Sequence, residues 1–245
     1  MTESTRFVGR RVAVTGAAGG IGQAIVSRLL AEGAEVYGLD LRGVDTLPAG
    51  ATGIGIDLDS PESVAAVVAR LYADDPRPVD LVNSAGIVED NVAAEDMPIE
   101  QFDAVLGINL RGVFITCQAF GRELLARGGG AIVNIASMSG NAVVNYPQRQ
   151  SAYNTSKAAV TALTKSLSVE WSPRGVRLNA LSPGYVDTPL NYLKADMHDT
   201  WKRDIVIDRF ATPAEVAGAV AFLLSDDAAY FIGSELLMDG GFSLR

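Results

Sequence analysis

The chain has 245 residues, 48% of them hydrophobic, which is enough apolar material for one large core. A formal net charge of -9 repels the phosphates of nucleic acids and anionic lipid, so neither nucleic acid nor a membrane is expected as a partner. Cys117 is the single cysteine, which excludes an internal disulfide and favours a reducing, cytoplasmic compartment. Residues 1–11 are too polar for a targeting segment, and apolar stretches such as residues 214–224 are too short to span a bilayer.

Short β-branched runs alternate with longer segments of helical periodicity along the chain. Strands are predicted at Val12–Thr15, Glu35–Leu39, Ile54–Ile56, Val79–Val82, Ala131–Ile135, Val176–Leu181 and Leu236–Met238. Helices are predicted at Ile21–Ala31, Glu62–Tyr72, Gln101–Arg127, Tyr153–Trp171 and Pro213–Leu224. Because the strands are continuous apolar runs, both faces of their sheet should be covered. The sequence therefore predicts one α/β domain over residues 1–245, a doubly wound, Rossmann-like parallel sheet with helices on both faces.

A glycine-rich loop joins the first predicted strand to the first helix, in the segment Thr15-Gly16-Ala17-Ala18-Gly19-Gly20-Ile21-Gly22. Gly16 permits a tight turn, Gly20 lets the backbone approach a pyrophosphate, and Gly22 lets helix and strand pack closely. The amino end of the helix attracts the anion. The placement of the loop between a strand and a helix predicts a dinucleotide site.

Asp40 closes the second predicted strand, 18 positions after Gly22. Its carboxylate can accept hydrogen bonds from both hydroxyls of an adenosine ribose, and it would repel a 2′-phosphate. Ala18 supplies no cation for such a phosphate, whereas Arg42, two residues beyond Asp40, could offset the repulsion. These residues predict NAD as the cofactor and leave open whether NADP is also accepted.

Four motifs together resemble the classical short-chain dehydrogenase/reductase family, over about residues 8 to 242. They are the glycine loop, Asn83-Ser84-Ala85-Gly86, Tyr153-Asn154-Thr155-Ser156-Lys157, and Pro183-Gly184 after the sixth strand. The family pattern usually has a second Asn where this chain has Ser84. The resemblance implies an enzyme that transfers a hydride between a nicotinamide cofactor and a secondary alcohol or ketone.

The resemblance also implies four catalytic residues, which are Asn109, Ser137, Tyr153 and Lys157. A spacing of four places Tyr153 and Lys157 on one helical face. The pKa of an ordinary tyrosine is about 10, and a nearby ammonium and a positive nicotinamide ring should both lower it, so that Tyr153 can take the alcohol proton. Ser137, with Ser139 as its rival, would hydrogen-bond the substrate oxygen. By resemblance, Lys157 holds the nicotinamide ribose and Asn109 positions a proton-relaying water.

Further cofactor contacts follow from the resemblance alone. Asp57 and Leu58 would meet the adenine, although a carboxylate at position 57 could instead cap a turn. The adenosine ribose would be lined by Asn83, Ala85 and Gly86. The nicotinamide end would be lined by Pro183, Gly184, Tyr185, Val186 and Thr188.

The loop from Ser137 to Gln148 is rich in polar side chains, and its sequence is similar to that of polyol and sugar dehydrogenases in the family. Its amides could bind several hydroxyls or could cap turns. The predicted substrate residues are Ser137, Ser139, Asn145, Gln148, Tyr153 and Tyr185. Residues 187–210 are expected to form a substrate lid. His198 is the only histidine, and no ligand spacing predicts a metal site.

Two other functions stay open from the sequence. One is a reductase of 3-oxoacyl thioesters or another biosynthetic ketone, which Asp40 and the acidic charge disfavour. The other is a dinucleotide-sensing regulator, which would not need all four catalytic residues. The partners expected are a small alcohol or ketone and further copies of this chain, since the resemblance implies a homotetramer packed through helices 101–127 and 153–171.

Overall fold

The structure is a computed structural model that describes residues 5–142, 148–192 and 197–244. Within them, seven strands form one sheet with parallel pairing throughout, in the order β3-β2-β1-β4-β5-β6-β7. The strands are β1 (Arg11–Thr15), β2 (Glu35–Asp40), β3 (Thr52–Gly55), β4 (Val79–Asn83), β5 (Gly130–Ile135), β6 (Val176–Pro183) and β7 (Glu235–Met238). The predicted parallel, doubly wound sheet is confirmed.

Helices cover both faces of this sheet. They are α1 (Gly20–Ala31), α2 (Pro61–Leu71), α3 (Ile99–Leu106), α4 (Val113–Ala126), α5 (Ser151–Trp171), α6 (Pro189–Tyr192), α7 (His198–Asp204) and α8 (Pro213–Leu224). Alternate residues of β1 point to opposite faces. Ala13 packs with α2, α4 and α5, whereas Val12 and Val14 pack with α1 and α8. Two apolar cores therefore lie on either side of the sheet.

The predicted long helical region Gln101–Arg127 is confirmed as one helical run, Ile99–Ala126, but the run is not α-helical throughout. The chain forms α3, then a π-helical segment over Gly107–Gly112, then α4. A π turn adds about one residue per turn locally, which an apolar pattern with a 3.6-residue period does not reveal. The predicted third strand is also displaced, because β3 ends at Gly55 and leaves Asp57 in the following loop.

The run Ile99–Ala126 is long and apolar enough to cross a membrane by length and composition, with a mean hydropathy of 1.3. Cys117, Phe120 and Leu124 from this run are fully buried in the core beside the sheet. A core helix passes the same test of length and composition, and these contacts are those of a core helix.

Candidate active site and cofactor cleft

A cleft of about 620 Å³ opens at the carboxyl ends of β1, β2 and β4. In an open parallel sheet, this edge is where ligands bind. Six of the predicted cofactor residues line it, namely Gly16, Asp40, Asp57, Leu58, Ala85 and Gly86. Lining residues outside the predicted cofactor set include Ala18, Arg42, Ser84, Ile87 and Ile108.

The glycine loop has no room for side chains at two of its positions. Gly16 has a φ of +66°, and a Cβ there would lie 2.6 Å from the Ala85 Cα. A Cβ on Gly22 would lie 2.0 Å from the Gly16 carbonyl oxygen. At Gly20, where α1 begins, a Cβ would be 3.2 Å from Thr188 Cγ2, so the loop and Thr188 meet at the helix amino end. Backbone and helix terminus together form a cradle that fits a dinucleotide pyrophosphate.

Asp40 connects the end of β2 to the glycine loop. Its Oδ2 accepts a hydrogen bond from the Ala18 N–H at 3.0 Å, and its Oδ1 accepts one from the Arg42 N–H at 3.3 Å. A carboxylate has about four lone-pair directions, so these two bonds leave capacity for ribose hydroxyls. The exposed side chain of Arg42 lines the same cleft.

Two predicted cofactor side chains have other contacts. The exposed Asp57 lines the cleft, but its Oδ1 also accepts a hydrogen bond from the Asp59 N–H at 3.0 Å, which is the turn-capping alternative. Asn83 is 2% exposed; its Oδ1 accepts a bond from Thr116 Oγ1 at 2.7 Å, and its Nδ2 donates to Asn134 Oδ1 at 2.8 Å. The Asn83 side chain therefore faces the core between β4, β5 and α4, and the next residue, Ser84, lines the cleft instead.

Cys117 belongs to the same buried polar network. Its thiol is fully buried and lies 3.3 Å from Asn83 Nδ2. Burial raises the pKa of the Cys117 thiol to about 12, so the reactive thiolate is suppressed. Cys117 acts here as a small core residue.

A second, smaller pocket of about 110 Å³ contains the predicted reaction centre. Five of the six predicted substrate residues line it, namely Ser137, Ser139, Gln148, Tyr153 and Tyr185. The sixth, Asn145, lies outside the described residues. Val88 and Gln150 also line this pocket and were not predicted from the sequence. Asn191, another lining residue, falls in the predicted lid, and Gly184 was predicted as a cofactor contact.

Tyr153 and Lys157 extend from the first two turns of α5. Lys157 Nζ donates a hydrogen bond to the Ile135 carbonyl at 2.8 Å and lies 5.6 Å from the centroid of the Tyr153 ring. Burial lowers the pKa of Lys157 to about 8. A Cβ on Gly86 would lie 3.4 Å from Lys157 Nζ, so a glycine at this point of the cleft keeps space open beside the amine.

The expected lowering of the Tyr153 pKa is not found in the chain alone. Burial raises the pKa of the phenol, a hydrogen bond with Ser137 lowers it, and the negative charge of Glu89 raises it, with a net upward shift. Ser137 Oγ also accepts the Ser139 N–H at 3.2 Å, at the start of a short turn after β5. The loss of solvation on burial therefore raises the pKa of Tyr153 by more than the hydrogen bond with Ser137 lowers it.

Asn109 lies in the π-helical segment and is fully buried. Its Oδ1 accepts the Ile87 N–H at 2.8 Å, and its Nδ2 donates to the Ile87 carbonyl at 2.9 Å and to Ser156 Oγ at 3.1 Å. The side chain thus fixes the loop after β4 against α5. Its role in positioning a water stays a prediction.

The segment after β6 runs from the smaller pocket, which Gly184 and Tyr185 line, to the amino end of α1, where Thr188 lies beside Gly20. Pro183 ends β6, and a Cβ on Gly184 would lie 2.8 Å from the Asp239 Cα. Val186 and Thr188 are buried, and Val186 forms an isolated parallel bridge with Ala211. Ile21, the remaining cofactor residue, packs against the core beneath α1.

The predicted lid contains two helices, α6 and α7, which the sequence did not predict. Trp201 of α7 is 1% exposed and stacks on Tyr185, with ring centroids 4.2 Å apart. Phe210 and Phe242 complete this aromatic cluster. Within the described residues, the Tyr185 hydroxyl is buried and has no hydrogen-bond partner. Across residues 5–142, 148–192 and 197–244, no group of three or more His, Cys, Asp or Glu side chains could hold a metal ion.

Comparisons with known proteins agree with this geometry. A family model described as enoyl-(acyl carrier protein) reductase matches residues 16–243. The chain is 39% identical to the D-threitol dehydrogenase of Mycolicibacterium smegmatis, covering 98% of this chain and 95% of that protein. It is 40% identical to the galactitol 2-dehydrogenase (L-tagatose-forming) of Cereibacter sphaeroides, covering 98% and 97%.

Solved structures with the same fold include the crystal structure of gox2181, with a TM-score of 0.93 at 39% identity and 99% of both chains covered. An NAD⁺-bound xylitol dehydrogenase matches with a TM-score of 0.90 at 30% identity, covering 96% of this chain and 100% of that one. A protein from Beutenbergia cavernae, described as an NAD(P)-dependent gluconate 5-dehydrogenase with NADP bound at low occupancy, matches with a TM-score of 0.88 at 36% identity, covering 97% of this chain and 98% of that one. Similar chains therefore include both NAD-bound and NADP-bound structures.

Proposed function

The chain belongs to the short-chain dehydrogenase/reductase family, and we propose that it uses NAD(H) to interconvert a polyol, sugar or small diol and its ketone. The proposal rests on the pocket at the carboxyl edge of the sheet, where Tyr153 and Ser137 lie beside amide side chains. These amides belong to Gln148, Gln150 and Asn191. Hydroxyl-rich substrates need several such donors and acceptors. Names of relatives such as D-threitol and galactitol dehydrogenase support the same substrate class.

The roles of the residues follow from their positions. A bound NAD supplies the ring that accepts the hydride. The Tyr153 phenolate takes the proton from the substrate hydroxyl. The Ser137 hydroxyl hydrogen-bonds the same oxygen and stabilises its developing charge. Lys157, whose buried amine donates a hydrogen bond to the Ile135 carbonyl, would hold the nicotinamide ribose of a bound cofactor, and its positive charge would favour the phenolate.

NAD is proposed over NADP because of Asp40. Its carboxylate lies in the cleft at the end of β2, where it would repel a 2′-phosphate. A reductase of thioesters carried by an acidic protein would gain from basic surface, and the net charge of -9 opposes such a partner. The buried single thiol is in keeping with a reducing, cytoplasmic compartment, which is proposed as the location.

A substrate panel tests this function directly. With NAD and short polyols or diols, the protein should produce NADH absorbance that depends on the alcohol. The matched arm offers NADH with 3-oxoacyl and enoyl thioesters, which should be turned over far more slowly. Cofactor binding without turnover of any alcohol or ketone would instead favour a sensor, and fast thioester reduction would favour the biosynthetic reductase.

Self-association is part of the proposal. Phe114 on α4 and Val169 on α5 are 41% and 78% exposed, and Leu237 on the edge strand β7 is 44% exposed. Large apolar side chains on these faces are suited to contacts between copies. Light scattering after size exclusion should give about 103 kDa, four times the 25.7 kDa of one chain. A mass of one chain at working concentration would contradict the tetramer.

A further inference from the structure

Glu89 is a buried carboxylate that the reaction described above does not use. It lies in the loop after β4, three residues beyond Gly86, and is 3% exposed. Its Oε1 accepts the Ala152 N–H at 2.9 Å, and both of its oxygens accept the Tyr153 N–H, at 3.2 Å and 3.1 Å. A charge this deeply buried is costly unless it has specific partners. Its partners here are the N–H groups at the start of the catalytic helix.

These N–H groups belong to the first turn of α5, where the helix itself provides no acceptors. Gln150, which precedes the helix, makes no side-chain capping bond. Glu89 therefore supplies the cap from a segment more than sixty residues earlier in the chain. Asn109 holds the same loop from its other side, through both backbone groups of Ile87. One loop thus connects the π-helical segment to the turn that carries Tyr153.

We infer that Glu89 is a positioning residue for the reaction, fixing the first turn of α5 so that the Tyr153 phenol stands beside Ser137 and the substrate oxygen. This inference rests on the proposed dehydrogenase function. A reacting group displaced by about 1 Å can lose about 100-fold in rate, so the orientation of this turn matters. No substrate atom needs to touch Glu89 for this role.

The charge of Glu89 has a second effect. A helix amino end carries about half a positive charge, which would favour a phenolate nearby, and the buried carboxylate offsets it. In the described residues, the charged groups that face the Tyr153 phenol are Lys157 from the same helix and Glu89 from the loop. Two further charged residues lie nearby, Asp90 in the loop after β4 and Arg149 just before α5, and both are exposed. Removing the Glu89 charge should therefore lower the pKa of Tyr153.

Two substitutions separate orientation from charge. Glu89→Gln keeps a carbonyl oxygen for the two N–H groups and removes the charge. The acid limb of the pH profile of kcat for alcohol oxidation should then move down by about half a pH unit, with KM nearly unchanged. Glu89→Ala removes the cap, and kcat per folded enzyme should fall by about 10-fold while NADH binding is retained.

Glu32→Gln is the matched control. Glu32 is 2% exposed, caps the carboxyl end of α1, and pairs with Arg6 and Arg28. The loss of the Glu32 charge should lower the melting temperature without moving the acid limb of the pH profile of kcat. If both Glu89 variants also change only the melting temperature, Glu89 is merely structural and the inference is wrong.

A measurement without substrate keeps this test separate from the proposed function. The ultraviolet titration of tyrosinate in the NADH complex, with the Tyr153→Phe titration subtracted, reports the ionisation of Tyr153. In the Glu89→Gln protein this ionisation should shift to lower pH by the same half unit. An unshifted titration overturns the charge effect inferred for Glu89 even if polyols are oxidised, and the positioning role is overturned separately if Glu89→Ala leaves kcat per folded enzyme unchanged. A shifted titration supports the charge effect even if no polyol is turned over, in which case the proposed function alone fails.

Discussion

Tyr153→Phe should reduce kcat by about 10²- to 10⁴-fold while leaving the affinity for NADH unchanged. The substitution removes one hydroxyl from a ring that the pocket otherwise retains, so Ser137 and Lys157 keep their places. The missing hydroxyl is the group that takes the alcohol proton. Among the described residues that line the pocket, the one other titratable side chain is Tyr185, and burial raises the pKa of its phenol well above the ordinary value. Steady-state rates with the best alcohol of the panel, and NADH fluorescence for binding, measure the two effects.

Tyr72→Phe is the control for removing a hydroxyl from a tyrosine outside both pockets. Tyr72 follows α2, and its oxygen accepts the Val79 N–H at 3.0 Å. Its loss should lower stability by about 1 kcal/mol and leave kcat unchanged. If the Tyr153→Phe enzyme retained more than about a tenth of its activity, Tyr153 would not be the general acid and base, and Ser137 would become the group to test.

The sheet was predictable because its strands are continuous apolar runs, such as Val79–Val82, and such runs require cover on both faces. Much of the site was predictable for a related reason. Strand ends meet at one edge of a parallel sheet, so motifs that directly follow strands gather there. Asp40 and Ser137 could thus be placed by chain position alone, and both line a pocket.

Features set by distant contacts were not predictable. The direction of Asn83 depends on Thr116 and Asn134, its partners from α4 and β5. The π-helical segment that holds Asn109 lies within one run of helical periodicity, and that periodicity does not mark where a π turn occurs. The local sequence around Glu89 does not indicate its contacts, because its partners are more than sixty residues away. Each case depends on tertiary packing, which a local pattern does not contain.

Asp40→Ala should raise the ratio of kcat/KM with NADP to kcat/KM with NAD by about 10- to 100-fold. Hydrogen bonds to a charged group contribute about 1.5–3 kcal/mol each, which corresponds to this range when the ribose contact is lost. At the same time the repulsion of a 2′-phosphate disappears. Asp40→Asn is the more conservative variant, because its amide oxygen can still accept the Ala18 N–H and hold the glycine loop. It should move the ratio in the same direction by a smaller factor.

Arg42 should determine how much kcat/KM with NADP rises when Asp40 is replaced. Its side chain is exposed and lines the cleft beside Asp40, where a guanidinium can pair with a 2′-phosphate once the carboxylate is gone. In the double variant Asp40→Ala/Arg42→Ala, most of the gain with NADP should therefore be lost. Asp45→Asn, which removes an exposed charge that does not line the cleft, should leave the ratio unchanged. An unaltered ratio in Asp40→Ala would mean that the carboxylate serves only to hold the loop, through its bond to Ala18, and that selection between NAD and NADP lies elsewhere in the cleft.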